Sequence, residues 1–294
     1  MRTAAQVSRQ SNVQLLPSGT IVAVHNLRNR FFLPDYGLSD VPLMISILDI
    51  KSRPYLQRAV SGAGLKAYLG VQGPVMIDSG GFTLMARDQV ANEVDQLIAL
   101  YGRIDADMFA SLDLPPVRGD DARCRASKWR TTLRHLDRML ANLGERRIMP
   151  IVHGHTLEEI AGACRDVRRR IDQPSMIALG GMVPFLRGWM SRTHFSYRRI
   201  DGSLGSSRTF VADALAICRE QFPRSSVHVF GAGSPTTAIA LLGLGADSVD
   251  SLAWRRAAGY GTIFLAGCAE RIVSKQPRIR ASRPPLSELY QPSQ

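Results

Sequence analysis

The chain is short of cysteine, of lysine and of long apolar runs, and each shortage removes a class of protein. Its four cysteines, Cys124, Cys164, Cys218 and Cys268, stand 40 or more residues apart. With no C-x-x-C and no neighbouring Cys/His pair, a local zinc knuckle is excluded and no disulfide framework is indicated. No run of 18 or more apolar residues occurs, so no membrane-spanning helix is expected. The opening residues, M-R-T-A-A-Q-V-S-R-Q, hold no apolar signal core. The expectation is a soluble, cytoplasmic protein with no membrane partner.

Acidic residues are also the minority. Against 37 Lys and Arg stand 25 Asp and Glu, a net charge of +12. Lysine occurs only at positions 51, 66, 128 and 275, so the positive charge is nearly all arginine. Guanidinium forks suit bidentate contact with phosphate. A polyanionic partner is expected, and a bias toward arginine codons is the plainer alternative. The charge does not separate DNA from RNA.

What is present is an alternation. Apolar segments are read as strands at Thr20–Asn26, within Val41–Ile50, and at Val75–Asp78, Met108–Leu114, Arg147–His153, Ser175–Met182, Val227–Phe230 and Ala246–Ser251. Helical periods follow most of them, at 54–67, 88–101, 121–143, 156–170, 210–222 and 235–242, with a closing helix over 254–266. Thr156 and Glu159 form a capping-box pattern, and Ser234-Pro235 is a cap followed by proline. Arg130, Arg134 and Arg138 make a basic ridge on the long helix, most simply a solvated face. Alternation of this kind implies a parallel sheet. Eight units in one chain suit an α/β fold of the (β/α)8 TIM-barrel class, with a doubly wound sheet as the alternative. Residues 1–18 read as a loosely ordered start, 19–274 as one domain, and 275–294 as a flexible basic, Pro-rich tail.

The polar residues fall at strand ends. Asp78 closes the third strand, Asp113 the fourth, His153 the fifth, Gly180-Gly181 the sixth and Asp250 the eighth, while G-A-G-S (231–234) follows the seventh. In a barrel those ends share the face that builds the active site. Two carboxylates on one cavity suit chemistry at an acetal-like carbon, one attacking while the other handles the leaving group's proton. Glycines there let backbone N–H groups approach a flat ligand. Phe82 can stack on a heterocycle or simply fill the core.

The pieces D-S-G-G-F (78–82), S-L-D (111–113), V-H-G (152–154), L-G-G (179–181), G-A-G-S-P (231–235) and G-A-D-S-V-D-S (245–251) occur in one order over residues 75–260. Together they resemble the tRNA-guanine transglycosylase superfamily. The form D-S-V-D-S-L-A-W is most similar to the DpdA-type enzymes that put 7-deazaguanines into DNA. The resemblance implies Asp250 as nucleophile at the sugar C1′ and Asp78 as general acid/base. It further implies Phe82 stacked on the base, Asp113 on its Watson–Crick edge, and Gly180 and Gly181 as backbone contacts. Ser79 is read as supporting Asp78, with Gly80, Gly81 and His153 lining the base site. The expected reaction is exchange of guanine in a polynucleotide, DNA first and tRNA as the alternative, for a 7-deazaguanine such as preQ0. No cofactor and no metal are expected, because only Cys268 lies where the tRNA enzymes carry a Cys/Cys/Cys/His zinc subdomain. A homodimer or a partner protein is left open.

This sequence departs from the family pattern at Thr83 and His153, where glutamine is usual, and both departures bear on the choice of base. Arg187, Arg192, Arg198 and Arg199, with Arg255 and Arg256, are the candidate backbone contacts. Three other readings each use part of the pattern. A barrel for a small phosphorylated substrate would use G-A-G-S at a helix N-terminus. A metal-dependent hydrolase would build on His153-x-His155. A non-catalytic nucleic-acid-binding subunit would have no use for both Asp78 and Asp250.

Overall fold

The computed structural model describes residues 19–24, 37, 39–86, 90–117, 119–186, 197–198, 203–231, 234–264 and 271–273. The readings made for 1–18 and 275–294 lie outside them. The strands are β1 Gly19–Val24, β2 Leu43–Ser46, β3 Val75–Asp78, β4 Met108–Ala110, β5 Ile148–Met149, β6 Ile151–Val152, β7 Met176–Leu179, β8 Tyr197–Arg198, β9 Leu204–Gly205, β10 Ser226–Val229, β11 Ser248–Ser251, β12 Thr262–Ile263 and β13 Arg271–Ile272. The helices are α1 Ile47–Lys51, α2 Pro54–Ala63, α3 Leu65–Leu69, α4 Gly81–Ala86, α5 Val90–Tyr101, α6 Ala122–Leu143, α7 Leu157–Arg168, α8 Val183–Leu186, α9 Ser207–Gln221, α10 Pro235–Gly243 and α11 Ala253–Tyr260. None of the described helices is long and apolar enough to cross a membrane.

The main sheet has the order β5-β4-β3-β2-β1-β11-β10-β7-β6, and every pairing in it is parallel. Its two ends, β5 and β6, are separated by Pro150 alone. Proline has no N–H to give a ladder, yet its carbonyl accepts from Ala178 N at 2.9 Å. One residue either side, Met149 O accepts from Ser111 N and Ile151 N donates to Ser111 Oγ. The segment 148–152 therefore bonds toward β4 and toward β7, and the order starts and ends on the same stretch of chain.

Strand alternation sorts the side chains into two apolar layers. Leu43, Ile45, Val75, Ile77, Phe109, Val152, Ile177, Leu179, Val227 and Val249 pack toward the helices. The opposite face gathers Met44, Met76, Met108, Met149 and Met176 with Ala110, Ile151 and Ala178. Burial on both faces explains why these strands read as unbroken apolar runs. Unbranched thioethers fill the irregular inner space without demanding one packing.

Several boundaries differ from the sequence reading. The apolar run 41–50 is a strand only to Ser46, whose hydroxyl accepts from Leu48 N at 3.4 Å and starts α1. The helix read over 54–67 breaks at Gly64 into α2 and α3. The closing helix stops at Tyr260, and β12 pairs with β13 beyond it. Thr156 caps α7 through Glu159 N at 3.1 Å. The Glu159 carboxylate reaches past the cap to His155 N at 2.7 Å, so the expected reciprocal box is displaced by one residue.

The N-terminal ends of the strands are pinned by a device used twice. Asp107, just before β4, accepts from Val75 N of the neighbouring strand at 2.7 Å and pairs with Lys66 at 2.8 Å. Asp247, just before β11, accepts from Val227 N at 2.6 Å and pairs with Arg219 at 2.6 Å. One carboxylate satisfies the first N–H of β3 and the other the second N–H of β10. Asp107→Ala or Asp247→Ala strands that donor, and is expected to cost about 1–3 kcal/mol in urea unfolding. An unchanged midpoint in both variants would contradict this account of the sheet end.

Candidate active site

β3 delivers Asp78 to the C-terminal end of the sheet, directly across from Ser46 of β2. The chain then turns sharply, and Gly80 N donates to Asp78 Oδ2 at 3.1 Å. Ser79 is buried, accepting from Gly81 N at 3.2 Å. The Ser79 hydroxyl also approaches Asp113 and favours the ionised form of that carboxyl. Gly81 is needed for the same contact, since a Cβ there would lie 2.7 Å from Asp113 Oδ1. Asp113 also approaches Gly180, whose added Cβ would be 3.7 Å from Oδ2.

Asp113 is only 7% exposed. Burial, with the negative charge of Asp78 beside it, pushes its carboxyl up to about 7, and the Ser79 hydrogen bond offsets only part of that. The same two carboxylates, added to burial, raise the hydroxyl of Tyr101 well above its ordinary range. Tyr101 thus lies near both acids and stays protonated. The sequence showed it only as one apolar position of a helical period.

α6 holds Asp113 in place from behind. His135 Nδ1 is 3.3 Å from Leu112 O, and Leu114 N donates to Thr132 Oγ1 at 3.0 Å. Further along, Asp120 accepts from Val117 N at 2.8 Å and Lys128 Nζ at 2.6 Å. Burial opposes the Asp120 charge, but Lys128 and the backbone prevail and its carboxyl is lowered. The basic ridge is a surface feature, with Arg130 and Arg134 exposed and Arg138 paired with Asp95.

Asp250 ends the inward row of β11 and is 8% exposed. Its Oδ1 accepts from Gly231 N at 2.6 Å. Gly231 has φ +75°, and a Cβ on it would strike Val183 at 2.5 Å, so glycine is required there. His228 Nε2 lies 3.5 Å from the same oxygen. The sequence placed His228 inside a strand and gave it no role. The missed signal was parity, because residues 248 and 250 share one face and His228 is in register with Ser248. The same parity puts Asp78 with Met76, and Gly180 with Met176 and Ala178. Asp78, Gly180 and Asp250 thus share the inner face and its C-terminal end.

His153 is buried edge-on to Trp129, with ring centroids 5.3 Å apart. Burial, then the nearby His155 and Lys128, lowers it to about 3, so it is neutral in the working range. His155 is lowered mainly by burial as well. Neither Nε2 has a hydrogen-bond partner among the described residues. Among the described residues no three His, Cys, Asp or Glu side chains are grouped to hold a metal ion. Phe82 stands in the first turn of α4, and Thr83 beside it is exposed. Arg198 lies in β8, and Arg255 and exposed Arg256 lie in α11. Arg187, Arg192 and Arg199 fall outside the described residues.

The raised carboxyl of Asp113 carries a stability consequence with a definite sign. Its folded value, about 7, lies above the unfolded value near 3.8. The folded state therefore holds the proton more tightly, and stability from this group falls as pH rises from 4 to 7, by up to about 1.4 kcal/mol per pH unit. Asp113→Asn should remove that slope, read as the difference between variant and parent unfolding free energies across pH 4–8. A difference that stays flat with pH would contradict the buried acid.

Comparison with known proteins identifies the family. Residues 15–289 match the family model described as queuine tRNA-ribosyltransferase. Among similar curated proteins is the tRNA-guanine(15) transglycosylase of Methanosarcina acetivorans, 26% identical over 208 residues, which is 69% of this chain and 38% of that protein. The protein of the same name from Methanopyrus kandleri is 26% identical over 207 residues, covering 70% and 41%. That of Methanobrevibacter smithii is 23% identical over 235 residues, covering 79% and 33%. The chain therefore spans well under half the length of these relatives. With the family model covering nearly all of the sequence, the chain belongs to the queuine tRNA-ribosyltransferase family.

Proposed function

We propose that this chain exchanges guanine in a polynucleotide for another purine-like base by double displacement. Asp250 attacks the sugar C1′ and the C1′–N9 bond breaks, releasing guanine and leaving a covalent ester. Asp78 protonates the departing base and later takes the proton from N9 of the incoming one. N9 then attacks C1′ and the Asp250 carboxylate leaves. One glycosidic bond replaces another, so the exchange needs no oxidant, reductant or cofactor. Asp113 meets the donor-rich Watson–Crick edge of guanine, with Gly180 and Gly181 lending backbone groups and Phe82 the stacking face. The domain over 19–274 closes as a (β/α)8 barrel in which β5 and β6 are halves of one strand.

The observation that carries this reading is that Asp78 and Asp250 share one face and one end of a parallel sheet, with Asp113 buried beside Asp78. The rivals fit less well. At the helix-terminal phosphate site, Gly231 N already serves Asp250. His153 and His155 lack further ligands among the described residues.

For the polynucleotide, tRNA is the reading the relatives' names support, and the +12 charge suits any such polyanion. DNA carrying a 7-deazaguanine is the second reading, favoured by the D-S-V-D-S-L-A-W form of residues 247–254. In either case the target base must leave the stack before C1′ can be reached.

Because guanine is the leaving group, labelled guanine must re-enter by the reverse path. Incubation with labelled guanine and either unfractionated tRNA or duplex DNA is expected to label tRNA. Asp250→Ala should abolish labelling while polynucleotide binding persists. Labelling of DNA alone would overturn the tRNA reading, and an active Asp250→Ala would overturn the nucleophile.

A further inference from the structure

One buried side chain at the site has no task in the exchange as described. His228 is completely inaccessible to solvent. Its Nδ1 lies 2.9 Å from Ser248 Oγ. Among the described residues its Nε2 has no hydrogen-bond partner, and it lies 3.5 Å from Asp250 Oδ1. Phe230 meets the ring edge-on at 4.6 Å between centroids, fixing its plane. The imidazole thus spans the β10–β11 ladder on a diagonal. One nitrogen meets the paired residue, and the other meets the next residue of the same face.

The hydrogen positions follow from the neighbours. A neutral imidazole has one donor and one acceptor nitrogen. If Nδ1 carried the hydrogen, the Nε2 lone pair would face a carboxylate oxygen. With the Ser248 hydroxyl donating to Nδ1, the hydrogen sits on Nε2 and faces Oδ1. A doubly protonated ring also turns an N–H to Oδ1. The Gly231 N–H already donates to this oxygen at 2.6 Å. Among the described residues none hydrogen-bonds to Oδ2.

We propose that His228, oriented by Ser248, is a positioning residue that anchors Asp250 through Oδ1 and leaves Oδ2 as the attacking oxygen. The inference rests on Asp250 being the nucleophile. In the first step Oδ2 forms the bond to C1′ as the C1′–N9 pair departs with guanine, and Oδ1 becomes the ester carbonyl. In the second step N9 of the incoming base attacks, the C1′–Oδ2 bond breaks, and its electron pair returns to the carboxylate. Donors already aimed at Oδ1 stabilise the returning charge without reorganising. The present 3.5 Å separation shortens as the site fills, as hydrogen bonds in empty active sites commonly do. His228 does not touch the base, so its loss acts on the chemical steps and spares base binding.

The test is steady-state exchange of labelled guanine on tRNA, with duplex DNA in a parallel arm, for the parent, His228→Leu, His228→Gln, Ser248→Ala and Asp250→Asn. His228→Leu is expected to lower kcat about 10–100-fold while KM for guanine stays within about threefold. His228→Gln, whose amide nitrogen reaches the place of Nε2, should recover about tenfold of that loss. Ser248→Ala, which frees the ring to flip tautomer, should lower kcat by about 3–10-fold. This variant carries the test if His228→Leu does not fold. Equal losses in His228→Leu and His228→Gln, a rise in KM in place of a fall in kcat, or an unaltered Ser248→Ala would overturn the inference. An active Asp250→Asn would instead overturn the nucleophile, whatever His228 does.

Discussion

The electrostatic cost of carboxylates in nearly dry space governs this protein. Three of them stand where parallel strands end, and the fold treats each differently. Asp250 receives the Gly231 N–H and lies 3.5 Å from His228 Nε2. Asp78 receives the Gly80 N–H. Asp113 has the Ser79 hydroxyl near it, but burial and then the charge of Asp78 raise its proton affinity. Two like charges close together in low dielectric do not both ionise freely. At the other end of the strands, Asp107 and Asp247 are each paired with a cation and a backbone N–H, and their task is structural. The same residue type lines the candidate site at one end of the sheet and bonds neighbouring strands at the other.

The scaffold under the acids is soft on one side and firm on the other. Inside, the floor is a layer of methionines, adaptable and free of polar atoms. Outside, α6 fixes the segment after β4 through Thr132, His135 and Lys128, so Asp113 is held by bonds to its neighbours in sequence. Glycines at 81 and 231 let backbone and carboxylate meet without a Cβ between them.

Much of this was legible in the sequence. Strand ends at Asp78, His153, Gly180 and Asp250 followed from short apolar runs bounded by polar residues, and the caps at Thr156 and Ser234 from their side chains. What the sequence hid is tertiary. The apolar run 41–50 conceals the change from strand to helix at Ser46, because Ile47 and Ile50 are buried in either conformation. Ser79 was read with its sequence neighbour, and nothing in the sequence shows that its hydroxyl also approaches Asp113, 34 positions on. Tyr101 and His228 looked like core positions because they are core positions. Only pairing of β10 with β11, and packing of α5 under the acids, shows what they face.

The central claim is that Asp250 bonds covalently to the sugar. The most direct measurement is to quench the protein with tRNA in the absence of a replacement base, digest it, and locate any nucleic-acid adduct by mass spectrometry. The account requires a ribosyl ester on the peptide bearing Asp250, lost when guanine is added back before the quench. An adduct on Asp78, or exchange proceeding with no adduct at either residue, would contradict it.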